Sequence, residues 1–245
     1  MQYTIWIEKR LIWVQNMRLD SNDLLYESKV KNNLSEKLLL YAITDRNCVK
    51  EKTFFDAVRE SLDGGITFLQ MREKSLDHDG FYKEALVLKK LANEYNVPFI
   101  INDNVEVAVR INADGVHVGQ SDMEAGKVRD LIGSDKILGV SVTTVEQAII
   151  AEKNGADYLG VGAVFSTQTK EDASEVSLAT LKDICNTVSI PVVAIGGITL
   201  ENAHLMTDSG ISGIAVVSAI YAQHDIYKAT KLLRKVAADI VKKEI

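Results

Sequence analysis

Ile66-Thr67-Phe68-Leu69-Gln70-Met71-Arg72-Glu73-Lys74 begins as an apolar run and ends in a knot of charge. Ile66, Phe68 and Leu69 follow Gly64-Gly65 and read as a buried β-strand. Period-two geometry then puts Gln70, Arg72 and Lys74 on one side of the chain and Met71 and Glu73 on the other. Two cations converging at the carboxyl end of a strand repel unless something negative sits between them. Alone, the stretch also suits a solvated loop, so the surrounding chain has to decide.

On both sides of it the same rhythm recurs from Leu38 onward: a short β-like run, a polar turn, an amphipathic helix, then Gly or Pro before the next run. The β-like runs are residues 38–44, 66–72, 98–102, 115–119, 137–142, 158–164, 191–196 and 213–219. The helical patterns between them are 54–62, 81–95, 105–111, 125–132, 145–154, 178–188, 200–209 and 226–242. The strands are near-continuous Val/Ile/Leu/Gly runs, as expected of a parallel sheet covered by helices. The only two prolines, Pro98 and Pro191, fall at strand starts, where a missing donor is tolerated. Eight strand–helix units in about 200 residues suit a (β/α)8 TIM barrel. A doubly wound open sheet is the competing reading, but no Gly-rich dinucleotide turn follows the first strand, where Asp45-Arg46-Asn47 stands. Residues 1–36 lie outside the rhythm and read as an N-terminal extension, helical or partly disordered; residues 37–245 form the barrel domain.

The 245 residues are 47% hydrophobic and 25% charged, with a formal net charge of −6. No basic excess exists to neutralise a nucleic-acid backbone or to hold a membrane surface. Small phosphorylated ligands need only a few local cations and stay in play. Cys48 and Cys185 match no metal or redox spacing and read as free thiols. No apolar stretch reaches the roughly 18 residues that span a bilayer, and residues 1–15 lack a signal-peptide core. Together these point to the cytoplasm.

In a (β/α)8 barrel the reactive groups sit at the carboxyl ends of the strands. Those ends carry Gln70, Arg72 and Lys74 (strand two), Asn102-Asp103-Asn104 (three), Gly119-Gln120-Ser121-Asp122 (four) and residues 141–144 (five). They continue with Ser166-Thr167-Gln168-Thr169-Lys170 (six), Gly196-Gly197 (seven) and Val217-Ser218 (eight). Asp103 and Asp122 come from neighbouring ends, and two hard oxygen ligands with waters and a phosphate suit Mg²⁺. Either could instead be the N-cap of the helix that follows. Gly196-Gly197 leading into a helix resembles the phosphate cradle after strand seven of many barrels, and Val217-Ser218 is placed to supply its other half. His117 falls mid-strand and reads as a hydrogen-bonded interior histidine. No Ser/His/Asp or Cys/His constellation is evident.

Six motifs in order, residues 70–74, Ile101-Asn102-Asp103, residues 115–122, Gly139-Val140-Ser141, Thr167-Gln168-Thr169-Lys170 and residues 194–198, together resemble the thiamine phosphate synthase (thiamine-phosphate pyrophosphorylase) family, from about Leu38 to the C-terminus. The resemblance implies a transferase that joins 4-amino-5-hydroxymethyl-2-methylpyrimidine diphosphate to 4-methyl-5-(2-hydroxyethyl)thiazole phosphate, giving thiamine phosphate and diphosphate. It also implies a dissociative substitution, in which leaving-group stabilisation matters more than a strong base. On the same resemblance, Gln70, Met71, Arg72, Glu73, Lys74 and Asn102 hold the pyrimidine diphosphate, with Ser141 and Lys170 on the opposite wall. Lys74, Lys170, Arg72 and Ser141 are its catalytic set, and Asp103 and Asp122 hold Mg²⁺. Thr167, Gln168, Thr169, Gly197, Val217 and Ser218 seat the thiazole phosphate. Ser166 stands where the family often has proline, and Thr143 where it often has histidine.

Two alternatives share these motifs in part: a thiazole tautomerase-like barrel, and a non-catalytic barrel that binds thiamine phosphates. The first would not be expected to keep the whole set Lys74, Asn102, Asp103, Asp122 and Lys170. The implied partners are small phosphorylated molecules, with no nucleic acid and no membrane; a homo-oligomer stays open.

Overall fold

The computed structural model describes residues 33–166 and 175–241. Strands β1 (Leu40–Ile43), β2 (Phe68–Met71), β3 (Phe99–Asn102) and β4 (Gly115–Val118) are followed by β5 (Ile137–Val142), β6 (Tyr158–Val161), β7 (Val192–Ile195) and β8 (Gly213–Val216). They close in sequence order into an all-parallel barrel, β8 pairing back onto β1. Helices α1 (Leu34–Lys37), α2 (Phe54–Asp63), α3 (His78–Glu94), α4 (Val105–Arg110) and α5 (Ala125–Ile132) come first. Then follow α6 (Val145–Lys153), α7 (Leu178–Thr187), α8 (Ser218–Tyr221) and α9 (Ile226–Val241). Six helix starts are fixed by a side-chain oxygen that accepts an otherwise orphaned amide: Thr53, Asp77, Asn104, Thr144, Ser177 and Asp225.

Strand alternation sorts the apolar residues into two layers. Leu69, Met71, Ile101, Val116 and Val140 join the large layer between the strands and the helices. Tyr41, Ile43, Phe68, Ile100, Ile137, Tyr158 and Val193 fill the barrel interior. The rings of Tyr41 and Phe68 meet edge-on at 4.8 Å, and those of Phe68 and Tyr158 at 5.7 Å. At the amino ends, a side chain just before an even strand ties down the odd strand before it. Thr67 Oγ1 accepts Leu40 N at 2.9 Å, Asp114 Oδ2 accepts Phe99 N at 2.8 Å and Asp157 Oδ2 accepts Leu138 N at 2.8 Å.

Three sequence expectations change. β6 and β8 end three residues before the apolar runs do, because the chain leaves the ladder there to build the site, and β1 and β2 begin two residues after theirs. The helix expected over residues 200–209 is a 3-10 turn, Ala203–Met206. Leu200 and Leu205, at helical spacing in the sequence, are exposed, while Ala203 and Met206 are buried. Asn202 diverts the backbone there, accepting Thr199 N at 2.8 Å and donating to Gly197 O at 2.8 Å. Lastly, Leu34 lies within the expected extension 1–36 yet is buried with the interior residues of the barrel. Residues 1–32 lie outside the described residues.

Candidate active site

The site is assembled from the loops at the strand carboxyl ends. Gln70 is the last inward residue of β2; it is 2% exposed, and its amide donates to the Tyr41 hydroxyl inside the barrel. Met71 points the other way and is fully buried in the outer layer, so its side chain does not reach the barrel mouth, a correction to its place among the substrate-contacting side chains. Beyond the strand, Thr44 Oγ1 accepts Arg72 N at 3.1 Å, and Arg72 Nη1 donates to Asp45 Oδ2 at 3.2 Å. Glu73 is paired with Arg46 at 3.1 Å and accepts Ser75 N at 2.7 Å. Burial pushes the Glu73 carboxyl up, but the Ser75 amide and the Arg46 guanidinium outweigh it and hold it below the usual range. Glu73 is thereby a brace between the first two loops rather than a group offered to an anion. Sequence reading missed Asp45 and Arg46; the signal available was an acid–base pair just past strand one facing a base–acid pair just past strand two.

A cavity of about 730 Å³ opens beside these loops, lined by Lys74, Asn102 and Asp103 together with apolar Leu76, Phe81, Val105 and Met123. Asp103 is not the cap of α4; Asn104 is, accepting Val107 N at 3.0 Å. Nor does Asp122 cap α5, which starts from Glu124. Asp122 Oδ2 instead accepts Gly119 N at 2.7 Å, turning the β4 loop back on itself. The carboxyls of Asp103 and Asp122 are in hydrogen-bond contact. Burial first, then that contact and the Asp122 charge, raise the Asp103 pKa from 3.8 to about 6, against the pull of Lys74 and of Asn102. Asn102 Nδ2 donates to Asp103 Oδ2 at 2.6 Å. A half-buried carboxylate beside an exposed one favours a proton or a cation between them. As an all-oxygen pair with room for water and phosphate ligands, they fit a hard divalent ion. Among the described residues no group of three or more His, Cys, Asp or Glu could hold a metal.

Ser141 lies at the β5 end; its Oγ is 2.8 Å from His117 Nε2, and its carbonyl accepts Gln120 Nε2 at 2.8 Å. His117 is 7% exposed and bonded on both ring nitrogens, as an interior histidine should be. Thr143 is occupied locally, donating from N and Oγ1 to Gln147 Oε1 at 2.8 and 3.0 Å. Gly196 and Gly197 both have positive φ, 98° and 63°. A β-carbon on Gly197 would stand 2.4 Å from Ser166 O, so the loop after β6 passes directly over the glycine pair. Val217 and Ser218 sit at the β8 end, where Ser218 opens the short helix α8 instead of extending the strand. Thr167, Gln168, Thr169 and Lys170 lie outside the described residues.

A closed parallel barrel with acidic and basic side chains converging at its carboxyl rim is the frame of a (β/α)8 enzyme acting on phosphorylated small molecules. Residues 40–220 match the thiamine monophosphate synthase family, and the chain belongs to it. The thiamine-phosphate synthase of Clostridium acetobutylicum is 50% identical over 204 residues, 83% of this chain and 95% of that one. That of Ruminiclostridium cellulolyticum is 52% identical over 197 residues, 80% and 94% of the two chains. The solved structure of a thiamine phosphate pyrophosphorylase from Pyrococcus furiosus superposes with a TM-score of 0.79 at 43% identity, covering 85% of this chain and 99% of that one.

Proposed function

We propose that this site joins 4-amino-5-hydroxymethyl-2-methylpyrimidine diphosphate to 4-methyl-5-(2-hydroxyethyl)thiazole phosphate. The chain is a thiamine-phosphate synthase, a transferase of thiamine biosynthesis. The observation that carries the finer reading is the contact between Asp103 and Asp122 beside Lys74. A neutral ligand gains nothing from that arrangement, whereas a diphosphate carried with a divalent cation complements both its signs.

In the reaction the pyrimidine methylene C–O bond breaks, the diphosphate leaves with the electron pair, and the thiazole nitrogen lone pair forms the new C–N bond to the carbocation. No proton has to move, so bond breaking and bond forming require no general base. Mg²⁺ held by Asp103 and Asp122 would neutralise charge on the departing diphosphate. Lys74 adds a point charge at the cavity wall, and Arg72, oriented by Asp45, presents its remaining donors to the phosphates. Ser141 donates from the β5 end, and Lys170 adds a second ammonium. All four act on charge that grows as the bond breaks, so they favour the transition state over the ground state. Leu76, Phe81 and Met123 give the cavity an apolar wall against which the pyrimidine ring can pack. Gly197, Val217 and Ser218, at the ends of β7 and β8, with Thr167, Gln168 and Thr169, hold the thiazole phosphate at the usual barrel phosphate position. With free thiols at Cys48 and Cys185, a cytoplasmic site of action fits this chemistry.

The test is to incubate the chain with both substrates and Mg²⁺ and to measure thiamine phosphate by mass. Its formation with matching diphosphate release supports the proposal. Binding of both substrates without product would leave the barrel a sensor, and conversion of a thiazole precursor alone would make it a tautomerase.

A further inference from the structure

Five polar side chains run in unbroken contact across the barrel interior, from the end of β2 to the end of β5. Gln70 Nε2 donates to Tyr41 Oη; Tyr41 Oη and Tyr158 Oη are 2.9 Å apart. Tyr158 Oη is 2.8 Å from His117 Nδ1, and His117 Nε2 is 2.8 Å from Ser141 Oγ. Tyr41 and Tyr158 are at most 1% exposed, and burial raises the pKa of both phenols far above neutrality. The chain passes over Gly139, where a β-carbon would stand 2.3 Å from Tyr158 Oη and 2.5 Å from His117 Nδ1.

Proton counting gives this chain a direction. An amide nitrogen can only donate, so Tyr41 Oη accepts from Gln70, and its own proton goes to Tyr158. Tyr158 then donates to His117 Nδ1, which must be bare. The neutral imidazole therefore carries its proton on Nε2 and donates to Ser141 Oγ, leaving the serine proton free to point into the site. Turning the Gln70 amide over reverses every step: Tyr41 donates to Oε1, His117 is protonated on Nδ1, and Ser141 spends its proton on Nε2. Only the first polarity leaves a donor facing an anion. A buried chain with one mismatched link would leave a polar group unsatisfied, so intermediate states are disfavoured.

We propose that Tyr41, Tyr158 and His117 are positioning residues that transmit the orientation of the Gln70 amide to the Ser141 hydroxyl, fixing that serine as a hydrogen-bond donor to the diphosphate. The kinetic part rests on the assignment of Ser141 under Proposed function; the proton direction does not. Gln70 and Ser141 thereby act as one unit although they arise from β2 and β5.

The first measurement uses the free protein. His78, His204 and His224 are exposed, so replacing them by glutamine leaves His117 as the only imidazole in a ¹⁵N NMR spectrum. The expected species is the Nε2–H tautomer, and Gln70→Glu, whose carboxylate can only accept, should shift it to Nδ1–H. An Nδ1–H tautomer in the chain with Gln70 intact, or no response to Gln70→Glu, overturns the relay whatever the activity. The second is a kinetic cycle. Ser141→Ala should lower kcat by about 10²-fold, and Tyr158→Phe by roughly five- to tenfold, the scale of one hydrogen bond. In the Ser141→Ala background Tyr158→Phe should cost nothing further. Equal losses in both backgrounds overturn the relay. Unchanged kcat in Ser141→Ala instead overturns the assignment of that serine, and the tautomer result then decides the proton direction alone.

Discussion

Arg72 Nη1 donates to Asp45 Oδ2 at 3.2 Å, while one residue further along each loop Arg46 pairs with Glu73 at 3.1 Å. The two loops are thus joined by a pair of ion pairs of opposite sense. Asp45 orients the Arg72 guanidinium without occupying all five of its donors. Arg72→Ala should reduce kcat/KM by about 10²–10³, the scale for losing one stabiliser of developing charge. Asp45→Asn keeps a hydrogen-bond acceptor and should lose no more than about tenfold. Steady-state kinetics on both variants checks this; equal losses would make Asp45 more than an orienting group.

On the proposed reading, Asp103 and Asp122 hold the divalent cation on which turnover depends. Chelation with EDTA should abolish product formation, and Mg²⁺ in excess of chelator should restore it. Full turnover in chelator would remove the metal from the mechanism.

The same contact sets a pH dependence of stability in the metal-free protein. Asp103 has a folded pKa of about 6 against 3.8 ordinarily, so the folded state binds this proton more tightly than the unfolded chain. Its contribution is therefore greatest below about pH 4 and is lost as pH rises through about 6. Urea midpoints from pH 4 to 7 should show the decline, Asp103→Asn should flatten it, and Mg²⁺ should oppose it by binding the ionised pair. An undiminished slope in Asp103→Asn would refute the assignment.

Gly139→Ala should destabilise the fold by about 1–3 kcal/mol through overpacking. The added carbon would meet Tyr158 Cζ at 2.2 Å and could be accommodated only by moving a fully buried ring. A denaturant midpoint equal to that of the parent chain would contradict the packing described.

Arg129 lies at the opposite end of the barrel from the site, and stability and turnover should separate there. It donates to Gly133 O and Lys136 O at 2.7 Å, to Gly155 O at 2.8 Å and to Asp157 Oδ2 at 2.6 Å. Arg129→Ala should lower stability by about 2–3 kcal/mol, since several carbonyls and a carboxylate lose a charged donor, with kcat unchanged at temperatures where the variant is folded.

The eight strands were legible because each is a short apolar run bounded by Gly, Pro or a polar turn, and strand order follows once the barrel is recognised. The helix expected over 200–209 failed because Leu200 and Leu205 imitate an amphipathic face, while Asn202 captures the neighbouring backbone through its side chain. Asp103 and Asp122 could be located but not distinguished from caps; only the position of Asn104 and the Gly119 turn separates those cases. Tyr41 and Tyr158 lie within apolar strand runs, and nothing in the sequence sets them apart. Their hydroxyls gain meaning only when β1 and β6 face each other across the interior, a relationship that a separation of 117 positions hides.

Asp103 sits at φ 61°, in the left-handed region that side chains other than Asn and Asp enter at a penalty of about 1–2 kcal/mol. An alanine scan would therefore misread this position, mixing a relaxing main chain with a lost carboxylate. Asparagine holds the turn and removes only the charge, glycine holds the turn and removes the side chain, and the difference between those two isolates what the amide can still do. The carboxylate's aim is thus a property of backbone handedness, present before any ligand arrives.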